Sequence, residues 1–376
     1  MGVRNQVTFI VTTRKTLMSS AGVTTAAVTK ALADVPDPET GRNALELNQI
    51  RDIAVDGGAV SLTLSLTTHS SPIKDEVRES VIDRVKSRVA GVTSVTVRDE
   101  VEVRPPQAIG QVGLTAKSVI AVGSGKGGVG KSTIAASIAF GLKRAGCKVG
   151  LMDADVYGPS IPHLLGLEGH PQIVNQKIQP IYKDDMPVIS MGFLVPPGEA
   201  VVWRGPMLHG AITQFLRDTA WGELDYLIID MPPGTGDIAL TLSQMIPLTG
   251  SVVVCTPQDV ALLDAVKAIA MFRKVNIPVL GMVENMSGFL CPCCGKKYDI
   301  FGSGGARTRA EQLEVPFLGE VPINMAIREH GDDGHTDANF RDASVAPYLE
   351  KIVRQLSRNV AARAVAQPIL PSLPVL

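Results

Sequence analysis

The spacing of hydrophobic residues changes near residue 117 and divides the chain into two regions. In the first region, apolar residues recur at helical spacing over 23–35 and 75–89, and they alternate with Ser and Thr over 60–66. A further strand-like stretch, 92–103, ends at two prolines. Residues 24–104 are therefore predicted to form a small α+β domain in the order helix, two strands, helix, strand.

From residue 117 to residue 363, short and uninterrupted apolar runs alternate with helical stretches. Uninterrupted apolar strands are buried on both faces, whereas an alternating pattern would leave one face polar. The pattern predicts a larger α/β domain whose mostly parallel sheet is covered by helices on both faces. The runs lie at 119–122, 149–152, 224–229, 252–255, 279–283 and 317–321.

Three flanking stretches lack strong periodicity. Residues 105–116 contain two prolines and two glycines and are predicted to be a linker. Residues 364–376 carry three prolines and are expected to end disordered. Residues 1–23 contain no Asp or Glu, and we favour a disordered leader or an over-extended start over an organelle transit peptide.

A glycine-rich octet follows the first apolar run of the larger domain. It fits the pattern of the phosphate-binding loop, and a helical pattern with Ile134, Ile138 and Leu142 follows it. Such a loop presents successive backbone N–H groups to phosphates at the amino end of a helix. The alternative is a glycine turn without a ligand. We expect an ATP site built from Gly125, Lys126, Gly127, Gly128, Val129, Gly130, Lys131 and Ser132.

The polar residues of the octet and its edge have separate expected roles. Lys131 should reach the β- and γ-phosphates, the Ser132 hydroxyl should coordinate Mg²⁺, and Thr133 should support the α-phosphate. Lys126 is a second lysine inside the loop. It is either a solvated side chain or one that extends across a subunit interface toward the partner's phosphates, and we favour the second interpretation.

Further candidate groups lie at the ends of apolar runs, where open α/β sheets place their ligands. Asp230 ends the run 224–229 and is the expected second-shell Mg²⁺ residue, and Gly234 is a candidate sensor of the γ-phosphate. Asp153 and Asp155 end the second run. We assign Asp155 to orienting the attacking water and Asp153 to supporting the Mg²⁺ shell. The alternative for each aspartate is a structural helix cap.

Three of the five cysteines, Cys291, Cys293 and Cys294, lie within four positions. This clustering points to metal or redox chemistry in a reducing compartment rather than to a disulfide framework. A tetrahedral zinc or a four-iron cluster takes typically four ligands, so one chain has too few thiolates and two copies would complete the site. An incomplete zinc knuckle, a redox dithiol and simple buried cysteines are the alternatives. Cys147 and Cys255 lie in or beside strands and are expected in the core.

The overall composition excludes some classes of function. The formal net charge of −1 and the aromatic content of 4% argue against a nucleic-acid partner, because such proteins are usually basic and stack bases on aromatic rings. No apolar run reaches the roughly 20 residues of a membrane span. We expect a cytoplasmic protein without a membrane partner, or an organellar one if residues 1–23 are a transit peptide.

These motifs together resemble those of the Mrp/ApbC family of iron–sulfur cluster carrier ATPases, which belong to a larger group with septum-site and plasmid-partition ATPases. The resemblance implies a P-loop NTPase fold, and it covers nearly all of residues 25–364. It implies that Lys126 contacts nucleotide on the opposite subunit, that Asn285 recognises the purine, and that Cys291 and Cys294 are the bridging cluster ligands. The stretches that carry it are 123–133, 152–160, 203–207, 225–237 and 283–289, with the two cysteines directly after them.

Residues 25–104 resemble the small metal–sulfur cluster assembly domain that often precedes this ATPase, with 37–42 as its hallmark turn. That domain often carries a cysteine in a loop where this chain has Ser71. We therefore expect the small domain to dock partners rather than to hold a cluster.

The expected function is that of a homodimer that binds ATP and Mg²⁺ and holds a [4Fe–4S] cluster on Cys291 and Cys294. It would receive the cluster from donors and transfer it to apo-proteins. One alternative is a zinc-stapled nucleotide switch. The other is a septum- or partition-type positioning ATPase, which should end in a basic amphipathic helix that Pro368 and Pro371 would interrupt.

Overall fold

The computed structural model describes residues 22–156, 158–194, 205–234 and 236–367. Two predicted stretches lie outside the described residues: the leader up to residue 21 and the tail from residue 368. So do Trp203 and Arg204, which begin the stretch 203–207 that carries part of the family resemblance.

The small domain has the predicted order of elements. Thr24 caps the first helix, because its hydroxyl oxygen accepts a hydrogen bond from Ala27 N at 3.2 Å. A 3₁₀ turn, Thr68–Ile73, follows the second strand and leads into the second helix. The elements are α1 Thr25–Ala31, β1 Ile50–Asp56, β2 Ala59–Thr67, α2 Lys74–Arg88 and β3 Ser94–Glu102. Strand β2 pairs antiparallel with β1 and parallel with β3, and one face of this sheet packs on both helices.

The larger domain contains the remaining named elements. Its strands are β4 Ala108–Ile109, β5 Leu114–Gly123, β6 Val149–Asp153, β7 Ile173–Val174, β8 Lys177–Ile178, β9 Ile181–Lys183, β10 Met186–Ser190, β11 Leu224–Asp230, β12 Gly250–Cys255, β13 Val279–Leu290, β14 Lys297–Tyr298 and β15 Phe317–Ile323. Its helices are α3 Lys131–Arg144, α4 Ile161–Leu165, α5 Gly205–Asp218, α6 Gly236–Met245, α7 Asp259–Lys274, α8 Gly305–Gln312, α9 Met325–Asp332 and α10 Ala346–Ala366.

The main sheet has the order β14-β13-β12-β5-β11-β6-β10-β9, with β15 beside β13 and β4 beside β5. All pairings among β5, β6, β10, β11, β12, β13 and β15 are parallel, and β4, β9 and β14 pair antiparallel with their neighbours. The prediction of a mostly parallel sheet is confirmed. The carboxyl ends of its central strands therefore meet at one edge, where loops can build a ligand site.

Helices cover both faces of this sheet, as predicted. Helices α3, α4 and α10 contribute to the hydrophobic core on one face, and α5, α6, α7 and α8 contribute to the core on the other. All seven residues of β11 are buried. Among the described residues, no helix is long and apolar enough to cross a membrane.

Four stretches differ from the sequence-based expectations. The stretch 105–116 includes β4 and the start of β5, because Leu114 and Ala116 are buried in the sheet. Residues 364–366 belong to α10, whose end packs against Gly41 of the small domain. Strand β13 continues seven residues beyond the predicted end at Val283, and β10 was not predicted as a strand at all.

Buried and exposed isoleucines of this domain should respond differently to truncation. Ile120 in β5 is 0% exposed, so Ile120→Ala should lower the free energy of unfolding by about 2–5 kcal/mol. Ile173 in β7 is 70% exposed, so Ile173→Ala should change it by less than about 0.5 kcal/mol. Urea unfolding followed by circular dichroism measures both variants, and equal losses would contradict the placement of β5 in the core.

Candidate nucleotide and cysteine sites

The glycine-rich octet forms a loop between the end of β5 and the start of α3. Two of its glycines lie where a side chain would collide. A Cβ on Gly125 would lie 2.1 Å from the backbone oxygen of Asp264 in α7, and one on Gly130 would lie 2.2 Å from Nδ2 of Asn285. Gly128 and Gly130 also have φ values of 79° and 77°, a region that favours glycine. The glycines are thus required by the close packing and backbone shape of the loop.

Lys131 begins α3 and joins the loop to two strand ends. Its Nζ lies 2.5 Å from Oδ1 of Asp230 and 3.6 Å from Oδ2 of Asp155, and its side chain is 6% exposed. Ser132 Oγ lies 3.3 Å from the same Nζ. The structure therefore brings together four residues that the sequence analysis assigned to phosphate, Mg²⁺ and water.

Asp230 ends β11 in a fully buried position. Burial raises the pKa of Asp230, and the neighbouring Lys131 charge lowers it in part. Its second oxygen, Oδ2, is buried and has no hydrogen-bond partner among the described residues. A buried carboxylate oxygen without a protein partner, next to the Ser132 hydroxyl, suits the hydration shell of a Mg²⁺ ion.

Asp153 is engaged with the protein on both oxygens. Oδ1 accepts from Asp155 N at 3.0 Å, and Oδ2 accepts from Ser190 Oγ at 2.8 Å and from Ile161 N at 3.3 Å. Burial, followed by the charge of Asp230, raises the pKa of Asp153 to about 8. This geometry makes Asp153 an organiser of the loop after β6, and a role in the Mg²⁺ shell stays a prediction.

A cleft of about 450 Å³ lies over the octet. Gly158, Ser160, Leu164 and Pro233 complete its wall, and the sequence analysis did not single out these four. Its other lining residues are Ser124, Lys126, Gly127, Gly128, Gly130, Lys131, Ser132, Thr133 and Asp155. The polar lining and the volume fit the phosphates of a nucleotide.

Gly234 and Lys126 are both hydrogen-bonded to Ser124. Gly234 N donates to Ser124 O at 3.0 Å with φ at 69°, so the strand end after Asp230 touches the loop directly. Ser124 Oγ in turn donates to Lys126 O at 2.9 Å. The Lys126 side chain is half-buried at the rim of the cleft, and its ammonium makes no ion pair within the part of the chain that the structure describes.

Asn285 lies on the extended part of β13 and contacts the octet. Its Nδ2 donates to Val129 O at 2.9 Å, and its side chain is 9% exposed. Strand β13 therefore contacts the phosphate loop through a side chain only six positions before the first clustered cysteine.

The three clustered cysteines lie at the tip of a hairpin between β13 and β14. Cys291 N donates to Lys296 O at 3.0 Å, and Gly295 N donates to Cys291 O at 2.8 Å, which closes the turn. Cys291 is half-buried, whereas Cys293 and Cys294 are exposed. Hydrogen bonds from the backbone of Cys293 and Cys294 lower the pKa of the Cys291 thiol, which favours the thiolate needed for metal binding.

Two buried or half-buried glutamates anchor this hairpin, and the sequence analysis missed both. Glu284 accepts from Gly304 N at 2.7 Å and from Ala306 N at 2.6 Å, so it caps α8 beyond the hairpin. Glu320 in β15 accepts from Ser287 Oγ at 3.1 Å and from Lys297 Nζ at 3.3 Å. A charged residue inside an apolar strand was the available signal for Glu284, because buried charges need specific partners.

The other two cysteines are buried in the sheet, as predicted. Cys147 is 5% and Cys255 1% exposed, and burial raises the pKa of Cys255 to about 12. No group of three or more His, Cys, Asp or Glu side chains in the described ranges has the arrangement of a metal site.

Comparison with known proteins defines the family. The sequence model of the NUBPL iron-transfer P-loop NTPase family matches residues 115–357, and that of the iron–sulfur cluster assembly protein family matches residues 25–97. The chain belongs to the iron-transfer P-loop NTPases. The predicted resemblance, the P-loop fold and the assignment as an ATPase are thereby confirmed.

Relatives of similar length share both regions. An iron–sulfur cluster carrier protein of Synechocystis is 44% identical over 91% of this chain and 99% of its own length. An iron–sulfur cluster carrier protein of Deinococcus radiodurans is 46% identical over 93% of this chain and 99% of its own length. A nucleotide-binding protein of Archaeoglobus fulgidus, solved in complex with ADP, is 42% identical, with a TM-score of 0.53 over 59% of this chain and 88% of its own.

The packing of Gly125 predicts a specific loss in the ATPase site. Gly125→Ala would place a methyl group 2.1 Å from the backbone of α7, so the loop must shift, and nucleotide affinity should fall at least about tenfold. Gly210→Ala in the exposed part of α5 meets nothing within 4 Å and serves as the control. Titration with a fluorescent ATP analogue measures both, and unchanged affinity in Gly125→Ala would contradict this loop geometry.

Proposed function

We propose that this ATPase carries a [4Fe–4S] cluster between two copies of the chain, on Cys291 and Cys294, and delivers it to apo-proteins with ATP hydrolysis. The observation that supports this most directly is the exposed hairpin tip, where clustered thiols lie on the strand that contacts the phosphate loop. The names of the relatives, iron–sulfur cluster carrier proteins, support the identity of the cargo.

The nucleotide half of the proposal assigns roles to residues that already lie together. Lys131 would exchange its pairing with Asp230 and Asp155 for the β- and γ-phosphates, which carry the same charge as the carboxylates it leaves. Ser132 and Asp230 would hold Mg²⁺, directly and through its water shell. When bound, Mg²⁺ supplies charge neutralisation at the phosphates. Asp155, at the cleft wall, would orient the attacking water.

The remaining nucleotide contacts follow from the same geometry. The backbone N–H groups of the octet and Thr133 would bind the phosphates at the amino end of α3. Gly234 would respond to the γ-phosphate by leaving the carbonyl of Ser124. Asn285 would lie near the purine, and Lys126, at the rim, would reach the partner's nucleotide.

The dimer half of the proposal rests on ligand number and surface chemistry. Cys291 and Cys294 supply two thiolates from one chain, and a [4Fe–4S] cluster takes typically four. Exposed apolar side chains follow the cysteines: Tyr298, Ile300 and Phe301 are 45%, 59% and 41% exposed. Apolar side chains grouped on a surface are typical of an interface. A shared cluster at such an interface would be labile, which suits transfer to clients. Whether Cys293 can replace a neighbour is decided by the variants below.

Removal of the loop lysine should abolish turnover. Lys131→Ala should lower kcat for ATP hydrolysis by about 10²–10³, because the main cation facing the phosphates is lost from a buried site. Lys143 lies at the far end of α3 and makes ion pairs with Asp184 and Asp185. Lys143→Ala should therefore hydrolyse ATP at the unaltered rate. A phosphate-release assay distinguishes them, and full activity in Lys131→Ala would mean that the site is misplaced.

The cysteine variants should separate cluster ligands from bystanders. After anaerobic reconstitution with iron and sulfide, Cys291→Ala and Cys294→Ala should lose the iron–sulfur absorption and the dimer, measured by spectroscopy and analytical ultracentrifugation. Cys293→Ala should keep both. Buried Cys255→Ala provides a matched control for loss of one thiol. Tight zinc without cluster uptake would instead favour a zinc-stapled switch, and a monomer with iron and ATP bound would contradict the shared site.

A further inference from the structure

The small domain is docked on the amino-terminal edge of the main sheet, opposite the phosphate loop. Its 3₁₀ turn, Thr68–Ile73, links β2 to α2 and contains the buried residues His69, Ser70 and Ile73. The backbone oxygen of Thr68 accepts from Cys147 Sγ at 3.1 Å, so this turn faces the ATPase domain.

A buried aromatic contact forms the centre of the docking surface. The ring of His69 stacks on Tyr226 with centroids 4.4 Å apart and an interplanar angle of 6°. Tyr226 Oη donates to His69 O at 2.9 Å, and His69 Nε2 lies 2.9 Å from Ser118 Oγ. His69 and Tyr226 are 3% and 1% exposed. The small domain therefore contacts the middle of β5 at Ser118 and the amino-terminal half of β11 at Tyr226.

A buried charge cluster lies beside the aromatic pair. Lys117 Nζ lies 3.1 Å from Glu39 of the small domain and 3.1 Å from Asp225 at the start of β11. The three side chains are less than 10% exposed. Asp225 also accepts from Lys148 N at 2.9 Å, which extends the cluster to the start of β6. Buried partners of this kind hold one another in a defined geometry, because an unpaired charge there is strongly unfavourable.

The same three strands carry the nucleotide site at their other ends. Strand β11 runs from Tyr226 to Asp230 over a distance of about 13 Å at 3.3 Å per residue. Strand β5 ends in the phosphate loop, and β6 ends at Asp153, two residues before Asp155. All residues of β6 and β11 are buried, and close-packed interiors transmit a displacement rather than absorb it.

The docking surface also contains features of a contact that can open. Nδ1 of His69 and Oγ of Ser70 are buried without a hydrogen-bond partner among the described residues. Each such atom would regain hydrogen bonds with water on separation, which lowers the net stability of docking. At the periphery, Arg358 of α10 holds Glu76 of α2 at 2.8 Å through an exposed pair that contributes little.

We propose that docking of the small domain on β5, β6 and β11 regulates nucleotide binding at the opposite ends of these strands. The chain binds nucleotide more tightly when the small domain is docked than when it is separated. The proposal rests on the nucleotide site of the proposed function.

The first test weakens the contact between the two domains by substitutions in the small domain only, and it uses the full chain. Glu39→Ala combined with His69→Ala removes the stacking and the ion pairs of Glu39 with Lys117 and Arg104, but it leaves Lys117 paired with Asp225. Hydrogen exchange of Thr68–Ile73 should accelerate, and the Kd for ADP should rise at least about fivefold, the low end of measured couplings. Arg51→Ala, which removes a pair with Glu100 within the small domain, should change Kd less than about twofold.

A second measurement needs no destabilised variant. Coupling is reciprocal, so saturating ADP should slow hydrogen exchange of Thr68–Ile73 in the unaltered chain, and Lys131→Ala should lose this effect. Tyr226→Phe removes only the hydrogen bond to His69 and should give a smaller rise in Kd in the same direction. An opened surface with unchanged Kd, or no protection of the turn by ADP, would overturn the proposal. Failure of the unaltered chain to bind nucleotide would instead overturn the nucleotide site itself.

Discussion

The buried ion pair between Lys131 and Asp230 is the interaction on which the site geometry depends. It joins the first residue of α3 to the last residue of β11 at 2.5 Å, in a position where neither charge reaches bulk water. Burying one partner alone would be strongly unfavourable, so the loop and the strand end must be placed together. Parallel pairing of β11 with β5 and β6 supplies that placement, because it sets the carboxyl ends of the three strands side by side.

The direction of these parallel strands also separates the two regions of chemistry that lie outside the nucleotide cleft. The small domain contacts the amino ends of the strands, and the cysteine hairpin extends from the carboxyl end of β13. The sheet connects the small domain to the strand that leads to the thiols, and so does helix α10, which contacts Glu76 of the small domain and, through Asn359, the carbonyl of Leu280 in β13. In the proposed regulation, the small domain would act on nucleotide binding through the strands that it contacts.

The sequence predicted the parts of the fold that local patterns encode. Uninterrupted apolar runs located the central strands, and the spacing of Gly125, Lys131 and Ser132 located a glycine-rich loop between a strand and a helix. The end of β13 could not be predicted in this way, because Glu284 and Ser287 interrupt its apolar pattern. Their partners, the amides of α8 and Glu320, become neighbours only in the folded chain.

The docking of the small domain was not predictable for the same physical reason. Glu39, Lys117 and Asp225 are far apart in the sequence, and each reads as an ordinary surface charge until the fold buries them together. The alternation of β2 did predict a sheet with one buried face, but it could not identify what covers the polar side. Long-range pairing of buried charges carries no local signal, so it must be read from the structure.

Strand β13 unites the two halves of the proposed function. Asn285 holds the carbonyl of Val129 in the phosphate loop, and six positions later the same strand delivers Cys291 to the hairpin tip. Glu284 of the same strand accepts hydrogen bonds from Gly304 N and Ala306 N, and it thereby holds the start of α8 after the hairpin. In the proposed function, a shift of the phosphate loop on nucleotide binding would reach the thiols along this strand, because close-packed interiors transmit displacements. The proposed control of cluster binding by nucleotide would act through this strand, because it joins the phosphate loop to the exposed thiols.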